Sequence, residues 1–209
     1  FQHKKQYQAT IICMSRILAL RLSALGDVAM SVPVIYSFAE NYPDSEIVVV
    51  SREKWGALFA NMPSNVCFYG IDLQEYGGIR GLERLFGELR REEFDAVADF
   101  HNVLRTKYLD MRFRMAGVPV AVINKGRREK KELTRPQHKR LVQLKTSTMR
   151  YAEVLEKLGF GFDVDFHSIF GDDEGDVGTL APVVGGKNEN DWVGIAPFAQ
   201  HEGKIYPLE

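Results

Sequence analysis

Apolar residues recur along the chain in two alternating rhythms. Residues 17–22 (ILALRL) form a near-continuous apolar run, the pattern of a strand covered on both faces. Residues 23–27 (SALGD) interrupt it. Val28, Val32, Ile35 and Phe38 then fall at helical spacing through 28–41, with Pro33 marking a kink or a later helix start. After the turn at 43–45 (PDS), residues 47–50 (IVVV) read as a second buried strand. Residues 53–60 read as a helix and 66–69 as a short strand. Ile79, Leu82, Leu85, Phe86 and Leu89 mark a helix over 78–92. A fourth strand at 94–100 (FDAVADF), a helix at 104–116, a fifth strand at 118–123 and a helix at 147–158 with a Gly159 stop complete the series. Strands alternating with helices predict an α/β domain: a Rossmann-like parallel sheet with helices on both faces, spanning 14–170. No internal repeat is visible.

The pattern changes towards both ends. Residues 171–190 have the turn-rich, acidic composition of a linker, and 192–196 (WVGIA) open a new strand, so 191–209 read as the start of a second domain. The opening FQHKKQYQATIICM carries only a four-residue apolar stretch, too short for a signal peptide, and residues 1–13 read as a tag or upstream extension before Met14. The length of 209 residues is enough for a core that needs no covalent staple. Two cysteines, Cys13 and Cys67, form no disulfide framework. No run of 18 apolar residues exists. Together these features predict a soluble cytoplasmic protein.

Charge alters the picture more than composition does. Twenty-seven Lys and Arg against 28 Asp and Glu argue against a globally basic nucleic-acid binder. The balance conceals two opposed patches. Residues 125–150 hold ten Lys/Arg against Glu129 and Glu132, whereas 163–191 hold eight acids against Lys187. The basic run, with Arg127 and Arg128, reads either as a solvated loop or as a cationic lip for an anionic ligand. It lacks the interleaved aromatics of a single-strand nucleic-acid platform.

Two constellations could carry chemistry. In 21–28 (RLSALGDV), Gly26 suits a tight turn, and Asp27 falls where a strand's carboxyl end meets a helix. That crevice is where open α/β sheets hold ligands. Asp27 is then either a helix N-cap, worth about 1 kcal/mol, or a base that accepts a proton from a substrate hydroxyl. Glycine-rich dinucleotide and P-loop motifs are absent, so those two readings lose their main support, and a nucleotide-dependent enzyme with an atypical phosphate loop is left as a third, weaker option. The second constellation is 99–105 (DFHNVLR). His101 and Arg105 could grip an anion, or Asp99 and Asn102 could simply cap the following helix. His138, His167 and His201 lack metal-ligand spacing, so no metal is expected.

The segment RLSALGDVAMSVPVI resembles the N-terminal signature of glycosyltransferase family 9, the ADP-heptose:lipopolysaccharide heptosyltransferases. There, a strand ends in R-x-S-x-x-G-D and a Pro-containing helix follows. The likeness runs through NYPDSEIVVV, ELRREEFDAVADFHNVLRT and RYAEVLEKLG to VGIAPFAQHEGKIYPLE, covering essentially 15–209. It implies the N-terminal half of a GT-B fold. It also implies inverting transfer of a heptose or related sugar from a nucleotide sugar, ADP-heptose foremost, to an anionic glycolipid. No cofactor is implied, and peripheral contact with the inner membrane is. By this resemblance Asp27 is the catalytic base and Lys204 contacts the donor phosphates. Ser23, Gly26, His101, Arg105, Arg127 and Arg128 are acceptor-side residues. The resemblance also implies that this chain alone lacks turnover. Two departures leave the donor sugar open: Tyr206 replaces a Trp, and 198–200 (FAQ) lack small hydroxyl residues. The alternative is a non-catalytic α/β domain that binds an anionic glycolipid or a protein partner.

Overall fold

The computed structural model describes residues 14–170 and, beyond them, 178, 181–185, 195, 199 and 205. The extension at 1–13 and Lys204 lie outside the described residues, as do most of 171–190 and 191–209. Residues 1–171 group as one compact unit and 172–209 as another. In the second unit a short helix covers Ala181–Val184.

The first unit is built on five parallel strands in the order β3-β2-β1-β4-β5. They are β1 (Arg16–Leu20), β2 (Glu46–Arg52), β3 (Val66–Ile71), β4 (Ala96–Asp99) and β5 (Val120–Val122). Leu18 of β1 stands opposite Val48 of β2 and Val97 of β4, so the central strands are in close register. The expected α/β architecture is therefore present, with the five strands predicted within 14–170 in place; the strand expected at 192–196 lies outside the described residues.

Period-two alternation divides β1 and β2 between two layers. Ile17, Ala19, Ile47 and Val49 pack with Phe38 of α2 (Val32–Asn41) and with Tyr151, Val154 and Leu155 of α6 (Ser147–Lys157). Leu18, Leu20, Val48 and Val50 face the other way. They pack with Leu85 and Leu89 of α3 (Gly78–Arg90) and with Leu109 and Phe113 of α4 (Leu104–Met115). Each such side chain, fully buried, contributes about 1.5–3 kcal/mol, which makes the two-sided burial the main force behind the sheet.

Local chemistry sets the ends of the helices. Residues 28–41 do not form one helix but two, α1 (Leu25–Ala29) and α2, and Pro33 occupies the first turn of the second. That position tolerates proline because its N–H has no helical partner. The Thr146 side chain accepts the Met149 N–H at 3.1 Å at the start of α6. Gly159, at φ 99°, ends that helix: Gly159 N–H donates to Glu156 O and Phe160 N–H to Leu155 O, both at 3.0 Å. This pair of reversed bonds satisfies the last carbonyls, and the left-handed residue it needs is cheapest as glycine. Residues 53–59 form a 3-10 helix rather than an α-helix, and the basic run contains an additional helix, α5 (Arg127–Leu133).

Candidate functional site

The chain runs outward from β1 to β2 and β3, then returns to the other side of β1 at β4. The loops leaving β1 and β4 consequently diverge, and a crevice opens at the carboxyl ends of these two strands. The candidate residues from both constellations meet there.

Asp99, the last residue of β4, is fully buried and shapes the turn that follows. Its Oδ1 accepts the N–H groups of His101 (2.7 Å) and Asn102 (2.9 Å), and its Oδ2 accepts Asn102 N–H at 3.0 Å. Asn102 sits at φ 47° and donates its Nδ2 to Ile123 O at 3.1 Å, tying the turn to the strand beside it. Asp99 thus organises the loop and does not cap α4. Val103 precedes α4, and its N–H donates to Thr106 Oγ1 at 3.0 Å.

This turn carries His101 into the crevice. His101 Nε2 lies 3.1 Å from Ser23 Oγ in the loop after β1. Its Nδ1 has no partner among the described residues. Burial, reinforced by the positive charges of Arg21 and Lys125, holds the imidazole down to about 4, so His101 is neutral at neutral pH. Lys125, just beyond β5, is itself lowered by burial and by the Arg21 and Arg127 charges.

Asp27 is the third residue of α1. Ala24 holds the N-cap position, and no side chain caps this helix, so the capping reading of Asp27 is corrected. Its carboxylate is half exposed and pairs instead with Nη2 of Arg21, a side chain 5% exposed. Gly26 is an ordinary helical residue, and a Cβ there would meet nothing within 4 Å. The tight turn expected of it is not found.

Beside this crevice lies a cavity of about 990 Å3. Ser23, His101 and Arg105 line it with Arg52, Lys54 and Gln74. Arg105 donates Nη1 to Leu73 O at 3.0 Å, which ties the start of α4 to the loop after β3. Asp27 is not on the wall, but Ser23, four residues earlier, is. Arg127 and Arg128 are also absent from it: they open α5, where Arg128 is exposed and paired with Glu132 at 3.2 Å. Part of the cationic run at 125–150 is paired in the same way, although its positive excess remains. Arg150 pairs with Glu129 at 2.7 Å, and Lys145 pairs with Glu153.

Sequence reasoning had no hold on several members of this cluster. Arg21, Arg52, Lys125 and Tyr151 come from four separate segments. Asp110, on α4, is 2% exposed, and its carboxyl is raised to about 8 by burial and by the neighbouring Asp99. The one available signal was Arg21 itself, a cation ending an apolar strand.

No family model matches the chain. Over 93 residues, 44% of this chain, it is 30% identical to the lipopolysaccharide core heptosyltransferase OpsX of Haemophilus influenzae, of which the match covers 26%. Two solved structures share its fold. The glycosyl transferase family 9 protein of Veillonella parvula has a TM-score of 0.52 at 20% identity, over 76% of this chain and 47% of that one. The E. coli heptosyltransferase WaaC with ADP has a TM-score of 0.51 at 16% identity, over 73% and 49%. The likeness thus covers about a quarter of OpsX and about half of each of the two solved chains. In its fold, and over part of its sequence, the chain resembles the family 9 glycosyltransferases, in agreement with the motif carried by residues 21–35.

Proposed function

We propose that the chain is the acceptor-side domain of an inverting glycosyltransferase of the lipopolysaccharide core heptosyltransferase type. The observation that carries this reading is the placing of Asp27. It is a half-exposed carboxylate at the carboxyl end of β1, beside a large cavity with cationic groups on its wall. The names of OpsX and of WaaC with ADP support a heptose donor carried on ADP.

On this reading the Asp27 carboxylate takes the proton from an acceptor hydroxyl as that oxygen attacks the anomeric carbon. The bond from that carbon to the diphosphate breaks, its electron pair leaves with the nucleotide, and the configuration inverts. A single displacement needs one base and no covalent intermediate on the protein. Ser23 and neutral His101 orient the hydroxyl by hydrogen bonds. Arg105, with Arg52 and Lys54, holds acidic groups of the acceptor by charge-assisted contacts. Arg127 and Arg128 make a weaker outer contact, since Arg128 already has an acidic partner. Lys204 offsets charge on the leaving diphosphate. No cofactor or metal enters this scheme. The enzyme works in the cytoplasm against the inner face of the membrane, where a glycolipid acceptor presents its sugars.

Donor contacts are assigned to the second domain, so the 209 residues alone are proposed to lack turnover and to bind ADP more weakly than micromolar. The test is mass spectrometry of the product formed by the complete protein from ADP-heptose and a lipopolysaccharide-type acceptor. A single added heptose with inverted anomeric configuration is expected. Absence of any product across nucleotide-heptose donors, with retained acceptor binding, would favour the non-catalytic glycolipid-binding domain.

A further inference from the structure

Arg21 leaves β1 with 4% of its surface exposed, and a buried guanidinium without partners is strongly destabilising. Its partners here belong to two different loops. Nη1 donates to the carbonyl of Phe100, the residue immediately before His101, at 2.8 Å. Nη2 pairs with the carboxylate of Asp27. The guanidinium carbon lies 5.8 Å from the centre of the Tyr151 ring, and the Tyr151 hydroxyl donates to the backbone carbonyl of Asp27 at 3.2 Å. From the β2 side, Ser51 Oγ donates to the Arg21 carbonyl at 2.6 Å and holds the backbone from which the side chain departs.

Asp27 needs such support. It sits on α1, a helix of five residues, far shorter than a segment that is stable by itself. Its side chain and its backbone are each tied down by a group from outside that helix. The planar fork of arginine can reach Phe100 and Asp27 together, whereas a lysine ammonium offers one compact charge and no fixed fork.

We infer that Arg21 is a positioning residue: one buried guanidinium, seated on Tyr151, sets the Asp27 carboxylate in a fixed relation to the turn that carries His101. The inference rests on the proposed role of Asp27 as base, but its geometric content is independent of that role.

The test uses Arg21→Lys, Arg21→Met and Tyr151→Phe in the complete protein. In Arg21→Lys, a crystal structure is expected to show the Asp27 carboxylate displaced or in more than one position. Its kcat should fall roughly 10–100-fold, as expected for a small misplacement of a reacting group, with donor KM and melting temperature near wild type. Tyr151→Phe should show a smaller fall of the same kind. In Arg21→Met, NMR should find the His101 imidazole titrating higher than in the wild-type protein, since one of the charges that lowers it has gone. Should Arg21→Met fail to fold, Arg21→Lys decides alone. An unmoved Asp27 carboxylate with unchanged kcat in Arg21→Lys overturns the inference. If the wild-type protein transfers no sugar, the transferase reading fails, and the position of the Asp27 carboxylate in the Arg21→Lys crystal structure still decides the positioning role.

Discussion

Ser23 and His101 stand 78 residues apart in sequence and 3.1 Å apart in space, and their contact joins the loop after β1 to the turn after β4. Because burial holds His101 down to about 4, this contact is made by a neutral imidazole throughout the physiological range. An NMR titration of the ring is expected to show no step near 6.5 and a step near 4. A step at the ordinary histidine value would mean that the ring is solvated and the Ser23 contact is not maintained.

Asp110 predicts an inverse dependence of stability on pH. An unfolded carboxyl releases its proton near 4, whereas in the folded protein Asp110 keeps it to about 8. Between these values the folded state holds a proton that the unfolded chain has lost, so stability falls as pH rises and levels off above about 8. Lys107 and Arg114 offset part of the shift, and Asp99 enforces it. His101 acts oppositely between about 4 and 6.5, where the unfolded chain binds the extra proton and stability falls as pH drops. Among the described residues, the window above about 6.5 therefore reports chiefly on Asp110. Melting temperature should decline across it, and Asp110→Asn, which can still donate to Asp99, should remove most of the slope. An unchanged slope in the variant would assign the effect elsewhere.

Replacing Asp27 separates chemistry from folding in a way set by Arg21. Asp27→Asn keeps an oxygen acceptor for the guanidinium but removes the proton acceptor. Turnover of the complete protein should fall about 10²–10⁴-fold with little change in melting temperature. Asp27→Ala should lose the same activity and also leave buried Arg21 without its carboxylate. The added cost is roughly 1–2 kcal/mol, below the 3–5 kcal/mol of a fully buried pair because the Asp27 side stands half in water. Near-normal turnover in Asp27→Asn would remove Asp27 as the base, leaving His101 as the next candidate.

Gly81 offers a test of packing alone. It lies in the first turns of α3, where alanine is the better helix former by about 1 kcal/mol. A Cβ at Gly81, however, would stand 2.4 Å from the Tyr76 carbonyl carbon and 2.7 Å from its Cα. These are backbone atoms and cannot swing aside, so the clash outweighs propensity. Gly81→Ala should lower the melting temperature by several degrees, while Gly87→Ala, whose Cβ meets nothing within 4 Å, should hold or raise it. The reverse order, read by thermal denaturation, would show that α3 stands further from Tyr76.

Much of the architecture was legible in the chain because burial on both faces leaves a periodic trace. The apolar runs at 17–22 and 47–50 and the helical spacing at 78–92 each record what an element packs against, so strands, helices and their alternation could be read locally. Helix α5 escaped for the same reason: none of its residues is buried, and an unburied helix writes no apolar period. The motif around Asp27 was visible as a motif, but its surroundings were not. Whether Asp27 capped α1 depended on where that short helix began, and its ion pair with Arg21 depended on the guanidinium turning inward beneath Tyr151, 130 positions later in the chain. The strand order, which splits the loops of β1 and β4, and the meeting of Ser23 with His101 and of Asp99 with Asp110 were likewise decided by tertiary structure. Periodicity reports the water-excluded face of each segment, but the partners of a buried charge come from whichever distant segments the fold brings against it.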